Sequence, residues 1–182
     1  MTGENLIANG DMRQARPGAA GPNDLMPAGW EAFRIDPATG LRLVAEPPEG
    51  VDYMARVFGG SSTSKTADGG FVQAVGALRS ADTYRLTGRV RATWPVDEKH
   101  AAMIGYDPTG QTMDPMAATI HWMLLPAVSG LFVDYTSEPI RPKTDQISVW
   151  LRARTTQTDD YRFEADFDHL TLHQIPTTPP TR

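Results

Sequence analysis

The sequence contains no cysteine. That absence removes disulfide frameworks, zinc–thiolate sites, iron–sulfur clusters and thiol nucleophiles together. It leaves the redox compartment open, because a thiol-free chain tolerates any of them. No apolar run approaches the ~18 residues a membrane span needs. Residues 1–10 (MTGENLIANG) carry neither a basic n-region nor an apolar h-region, so no secretion signal is expected in this sequence. Positive charge is not in excess either. Lys plus Arg number 17 against 22 Asp plus Glu, a net charge of −5 with no polybasic run, so no general affinity for nucleic acid or anionic lipid is expected. There is no G-x-S-x-G, no P-loop and no G-x-G-x-x-G.

Helical periodicity is missing too. No 11-residue window sustains apolar residues at i, i+3, i+4 and i+7, whereas alternation with a period of two recurs. In Tyr84–Trp94, Tyr84, Leu86, Val90 and Trp94 fall on one face, and Arg85, Thr87, Arg89, Arg91 and Thr93 on the other. That is a strand with one buried face. Further strands are expected at Leu41–Ala45, Tyr53–Phe58, Phe71–Val75, Ala101–Tyr106, Ala118–Leu124, Leu131–Tyr135, Ile147–Arg154, Tyr161–Phe167 and Leu170–Ile175.

What is plentiful is punctuation. The 16 Gly and 15 Pro fall between these runs, in turn formers such as Pro37-Ala38-Thr39-Gly40 and Asp107-Pro108-Thr109-Gly110. The 182 residues suit one domain. Short strands at roughly ten-residue spacing predict an all-β antiparallel β-sandwich, since a parallel sheet would need crossover helices. The single domain is expected over residues 1–175. Within it, Arg13–Ala28 and Gly59–Gly70 are expected as long loops, and residues 176–182 as an extended Pro-rich tail.

The order of short motifs resembles a known family. Asn5-Leu6-Ile7-Ala8-Asn9-Gly10-Asp11-Met12 followed by Pro27-Ala28-Gly29-Trp30 is similar to the opening of carbohydrate-binding modules with the galactose-binding-like jelly roll. Tyr53–Val57, Gly70–Gln73, the Tyr84 strand, Gly105–Gly110 with Ile120-His121-Trp122, and Phe167–Leu172 follow in the family's order. The resemblance spans about residues 5 to 175. It implies a jelly roll more firmly than a function, since the sandwich also serves as a structural module. It also implies a structural calcium in some relatives. Here Arg13 stands where an acidic ligand is common, and Asp11 and Asp168 remain as candidate oxygen ligands.

Sugars are held by aromatic rings stacked on their C–H faces, with polar groups fixing the hydroxyls. Of four tryptophans, Trp94 and Trp122 alternate with core residues, and Trp30 is expected to plug one end of the sandwich. Trp150 is different. In Ile147–Arg154 it lies with Ser148, Arg152 and Arg154, opposite Val149, Leu151 and Ala153, so it is expected on the polar face. If Arg89 and Arg91 share that sheet, a ring flanked by guanidinium groups would seat a glycan. Gln73, at the position of a ligand-side glutamine in relatives, and His121 join the expected site. The alternative is that the arginines pair with Glu164 and Asp166 on a solvated face.

No enzyme is expected. Asp159, Asp160, Glu164, Asp166 and Asp168 crowd one stretch rather than facing each other across a cleft, as glycosidase carboxylates do. His169 and His173 lack the helical setting of a metalloprotease motif. Two functions stay open. One is a non-catalytic carbohydrate-binding module with a glycan partner, working outside the cell or on a particle surface. The other is a structural or decorating protein that docks its jelly roll on a virion, tail or cell-surface layer, with assembly neighbours or copies of itself as partners.

Overall fold

A computed structural model describes residues 4–19, 21–45, 53–59, 66–93, 99–125, 130–156 and 163–176. Among them there is no helix, and so none long and apolar enough to cross a membrane. Trp94, Asp159, Asp160 and residues 177–182 lie outside the described residues.

Two five-stranded antiparallel sheets stack face to face. The first runs β3 (Glu31–Arg34), β6 (Ala67–Val75), β11 (Ile147–Thr155), β8 (His100–Asp107), β9 (His121–Leu124). The second runs β10 (Val133–Thr136), β7 (Thr83–Ala92), β12 (Glu164–Ile175), β5 (Tyr53–Phe58), β4 (Gly40–Ala45). This is the expected sandwich, with most strands near the expected positions; β9 begins only at His121, and β3 is additional. The exceptions have physical causes. Arg13–Ala28 is not a loop, because β1 (Ala15–Gly18) and β2 (Gly21–Pro27) pair there as an antiparallel ribbon. The expected loop at 59–70 is shortened, since Ala67–Gly70 continue β6 along β11. The two segments expected at the C-terminal end are one strand, β12, interrupted by a bulge between Asp168 and Thr171.

Alternation sets the core. From the first sheet Phe71, Ile104, Val149 and Leu151 point inward, and from the second Leu43, Val57, Leu86, Val90, Phe167 and Leu172 meet them. Burial of such apolar surface, at roughly 25 cal/mol per Å², is the main force holding the sheets together. Trp30 is buried in the main core, its indole Nε1–H donating to the Asn9 carbonyl at 3.4 Å. The N-terminal segment is tied down across the sandwich. The Asn5 side chain donates to the Leu170 carbonyl at 3.0 Å and accepts from the Leu172 amide at 2.9 Å.

Candidate functional site

The two expected halves of the site lie on opposite sides of the molecule. Trp150 and Arg152 belong to β11 and project from the outer face of the first sheet. Arg89 and Arg91 belong to β7 and project from the outer face of the second. A row of arginines around Trp150 therefore does not form.

Trp150 itself is not exposed; its relative exposure is 0%. The alternation is right, and the error lies in equating the polar side of β11 with solvent. That side is covered by a second, smaller apolar cluster of Val72, Ile120 and Trp150, with Phe33, Ala117 and Trp122 packed on it. Phe33 meets Trp150 edge-on at 5.3 Å between ring centroids, and Trp122 does so from the other side at 6.2 Å. The Trp150 Nε1–H donates to the Ser148 hydroxyl at 2.7 Å, which satisfies the only polar atom of the ring.

Trp122 takes the place expected for Trp150. It stands on β9 opposite Gly105 of β8, and it is half-buried rather than core. A Cβ at Gly105 would sit 2.7 Å from the Trp122 ring, so the missing side chain is what lets the indole lie over the sheet. Beside it Arg152 holds Asp68 through two hydrogen bonds, Nε to Oδ1 at 2.7 Å and Nη2 to Oδ2 at 2.8 Å. The same guanidinium lies 5.6 Å from the Trp122 ring centroid, within cation–π range. Met116 and Leu124 are exposed nearby on this side of the sheet, at 65% and 57%. The result is an apolar shelf edged by a charged, geometrically fixed donor–acceptor pair. Such a surface can stack a flat C–H face and hydrogen-bond its hydroxyls.

Phe33 and Asp68 escaped the sequence reading, because one lies on a four-residue strand and the other in a stretch expected to be loop. For Trp122 a signal was present. A glycine within a strand, here Gly105 opposite Trp122, marks a place where another group approaches the backbone.

Two expected ligand contacts are reassigned. Gln73 points inward and is buried; its Oε1 accepts from the Ala8 amide at 2.8 Å, and its Nε2 donates to the carbonyls of Ala8 and Gly29 at 2.9 and 3.0 Å. It fastens the N-terminal segment. His121 alternates with Trp122 and stacks on Tyr106 at 5.1 Å, on the other side of β9 from the shelf.

On the second sheet the arginines pair with carboxylates. Asp166 accepts from Arg56 Nε at 2.6 Å and from Arg91 Nη2 at 3.0 Å, while Arg56 also reaches Glu164 at 2.6 Å. Burial would lower the Arg56 pKa, but the hydrogen bond and charge of Asp166, with the charge of Glu164, outweigh it and raise the value. Asp168 is fully buried; its Oδ2 accepts from Arg89 Nη2 at 2.7 Å and meets the His169 ring, and its Oδ1 accepts from the His169 amide. Asp11 is half-exposed and pairs with Arg13 at 3.7 Å. Both expected metal ligands are thus engaged by protein groups, which does not fit the six to eight oxygens around calcium. Among the described residues no group of three or more His, Asp or Glu is gathered as a metal site.

No protein-family model matches the sequence, and no curated protein does. Solved structures do. A CBM61 module, TmCBM61, in complex with β-1,4-galactotriose matches with a TM-score of 0.59 at 10% identity, over 95% of this chain and 100% of that one. The fold is that of carbohydrate-binding modules. A putative sugar-binding protein from Bacteroides thetaiotaomicron shares it, with a TM-score of 0.61 at 10% identity over 94% of this chain and all of that one. So does the enzymatically active domain of a tailspike protein of bacteriophage CBA120, with a TM-score of 0.62 at 10% identity over 94% of this chain but only 21% of that one.

Proposed function

We propose that this chain is a non-catalytic carbohydrate-binding module that takes a glycan on the outer face of the first sheet. The observation that carries the reading is the half-buried Trp122 ring, seated over Gly105 and flanked by the Arg152–Asp68 pair. Trp122 is the stacking ring. Arg152 donates to sugar oxygens, Asp68 accepts from hydroxyls, and Trp150 and Phe33 form the floor that fixes the indole. The shared fold of TmCBM61, whose structure holds β-1,4-galactotriose, and of the putative sugar-binding protein supports the reading. A glycan ligand implies work outside the cell or at a particle surface.

The carboxylates of the second sheet do not form a catalytic pair in this reading. Glu164, Asp166 and Asp168 each hold an arginine. A second reading, docking within a larger assembly, draws on the exposed Met116 and Leu124 beside the shelf. Intrinsic tryptophan fluorescence separates the two. Neutral oligosaccharides perturb the wild-type emission and leave a folded Trp122→Ala variant unchanged if the shelf binds sugar. An unresponsive wild type would move the assignment to docking.

A further inference from the structure

The outer face of the second sheet carries a cleft that the proposal above does not use. Its volume is ≈ 490 Å³, within the roughly 300–1,000 Å³ of small-ligand sites. The lining mixes apolar surface with polar side chains: Thr87, Thr136, Thr171, Asp134, Arg89 and His169 stand around Gly88 and Tyr135. Two of the hydroxyls, Thr87 and Thr171, already hydrogen-bond each other at 2.6 Å.

The cleft is built by the bulge in β12. Asp168 pairs with Arg89 and Thr171 with Thr87, so His169 and Leu170 together face the single Gly88 of β7. Leu170 turns into the core, where a Cβ at Gly88 would stand 2.5 Å from its Cδ1. His169 is forced outward, in the left-handed backbone region at φ 53°. That conformation is unfavourable for a non-glycine residue by about 1 kcal/mol or more. Bulges beside binding sites commonly re-aim a side chain, and here the re-aimed group is an imidazole with half its surface in solvent at the cleft wall.

Charge decides the class of ligand. Arg89 is paired with Asp168, so its positive charge is compensated, and the exposed Asp134 leaves the wall without a positive surplus. Carboxylated, sulfated or phosphorylated ligands gain nothing there. A neutral polyol finds carboxylate and hydroxyl acceptors for its O–H groups, and hydroxyl, imidazole and guanidinium donors for its oxygens.

We propose that this cleft is a second binding site, for a neutral polyhydroxylated ligand such as an oligosaccharide unit, on the opposite side of the sandwich from Trp122. Two sites on opposite faces make the chain a cross-linker of polymeric glycans, with avidity set by whether one polymer reaches both. The cross-linking role rests on the Trp122 site proposed above, whereas the cleft rests on the β12 bulge and its lining alone.

The test is an amide-resolved NMR titration of the full chain with β-1,4-galactotriose, xylotriose and cellotriose as neutral probes and trigalacturonate as the acidic one. The expected result is that a neutral probe moves the amides of Thr87, Thr136 and His169 in wild type and in Trp122→Ala. It leaves them still in Asp134→Ala, and Thr136→Val weakens binding about 10-fold. Both substituted positions are exposed, so folding is retained. Three results overturn the proposal: no movement with any neutral probe up to about 10 mM, a stronger response to trigalacturonate, or loss of the response in Trp122→Ala. The Trp122 and Met103 amides, followed in the same spectra, report on the first face independently.

Discussion

Arg152 grips Asp68 across the first sheet with both ends of its guanidinium fork, at 2.7 and 2.8 Å, while the same group lies 5.6 Å from the Trp122 ring. One side chain thus links a fixed polar pair on the shelf to the ring proposed to stack on sugar. Both partners are largely buried, with side-chain exposures of 10% and 17%. Arg152→Lys keeps the charge but loses the fork. It is expected to weaken glycan binding about 10-fold and to cost about 1–2 kcal/mol of stability, read by titration calorimetry and urea unfolding. Unchanged affinity would remove Arg152 from the site.

Trp150 and Trp122 separate structure from binding. Trp150→Ala empties a fully buried site and is expected to cost about 3–5 kcal/mol in urea unfolding. Trp122→Ala removes a half-exposed ring and should cost less than half as much while abolishing binding at the first sheet's outer face. Equal destabilisation by the two would place Trp122 in the core after all.

Gly105→Ala probes the seat of the ring. The added Cβ meets the Trp122 indole at 2.7 Å, so the ring must tilt. Glycan affinity is expected to fall at least about 10-fold, with the unfolding midpoint only slightly lowered. Retained affinity would mean that ring orientation does not matter.

Tyr135, buried at the base of the second-sheet cleft, supplies a stability prediction. Its hydroxyl is buried with no hydrogen-bond partner among the described residues. Tyr135→Phe is therefore expected to leave stability unchanged or raise it by up to about 1 kcal/mol. Burial, followed by the charges of Tyr106 and Glu138, pushes the phenol's pKa far above its ordinary value. The native state keeps a proton that the unfolded chain releases near pH ~10. This group's stabilisation is complete below that pH and shrinks as pH rises beyond it. Tyrosinate absorbance should show at least one tyrosine titrating only with unfolding; full titration of the native protein would contradict the burial.

The fold was legible because alternation survives in strands with one wet side. Tyr84, Leu86 and Val90 sit in the core as their period demands, and Arg89 and Arg91 face outward. The site was legible only in part. Period-two reading assigns Trp150 correctly to the outer face but says nothing of what lies on that face, and there Phe33, Ile120 and Trp122 cover it. Strand order was also out of reach, and it is strand order that sends Arg152 and Arg91 to opposite sides. Gln73 shows a further limit, since a polar residue in a strand can satisfy all its hydrogen bonds inside the protein, as this one does with Ala8 and Gly29.

The central claim is that Trp122 is the stacking ring of a glycan site. A glycan array probed with the wild-type chain beside a Trp122→Ala variant of matched thermal stability tests it most directly. The account predicts binding to a set of neutral glycans that the variant loses or keeps only weakly, through the opposite face. Full binding by the variant, or none by the folded wild type, would contradict it.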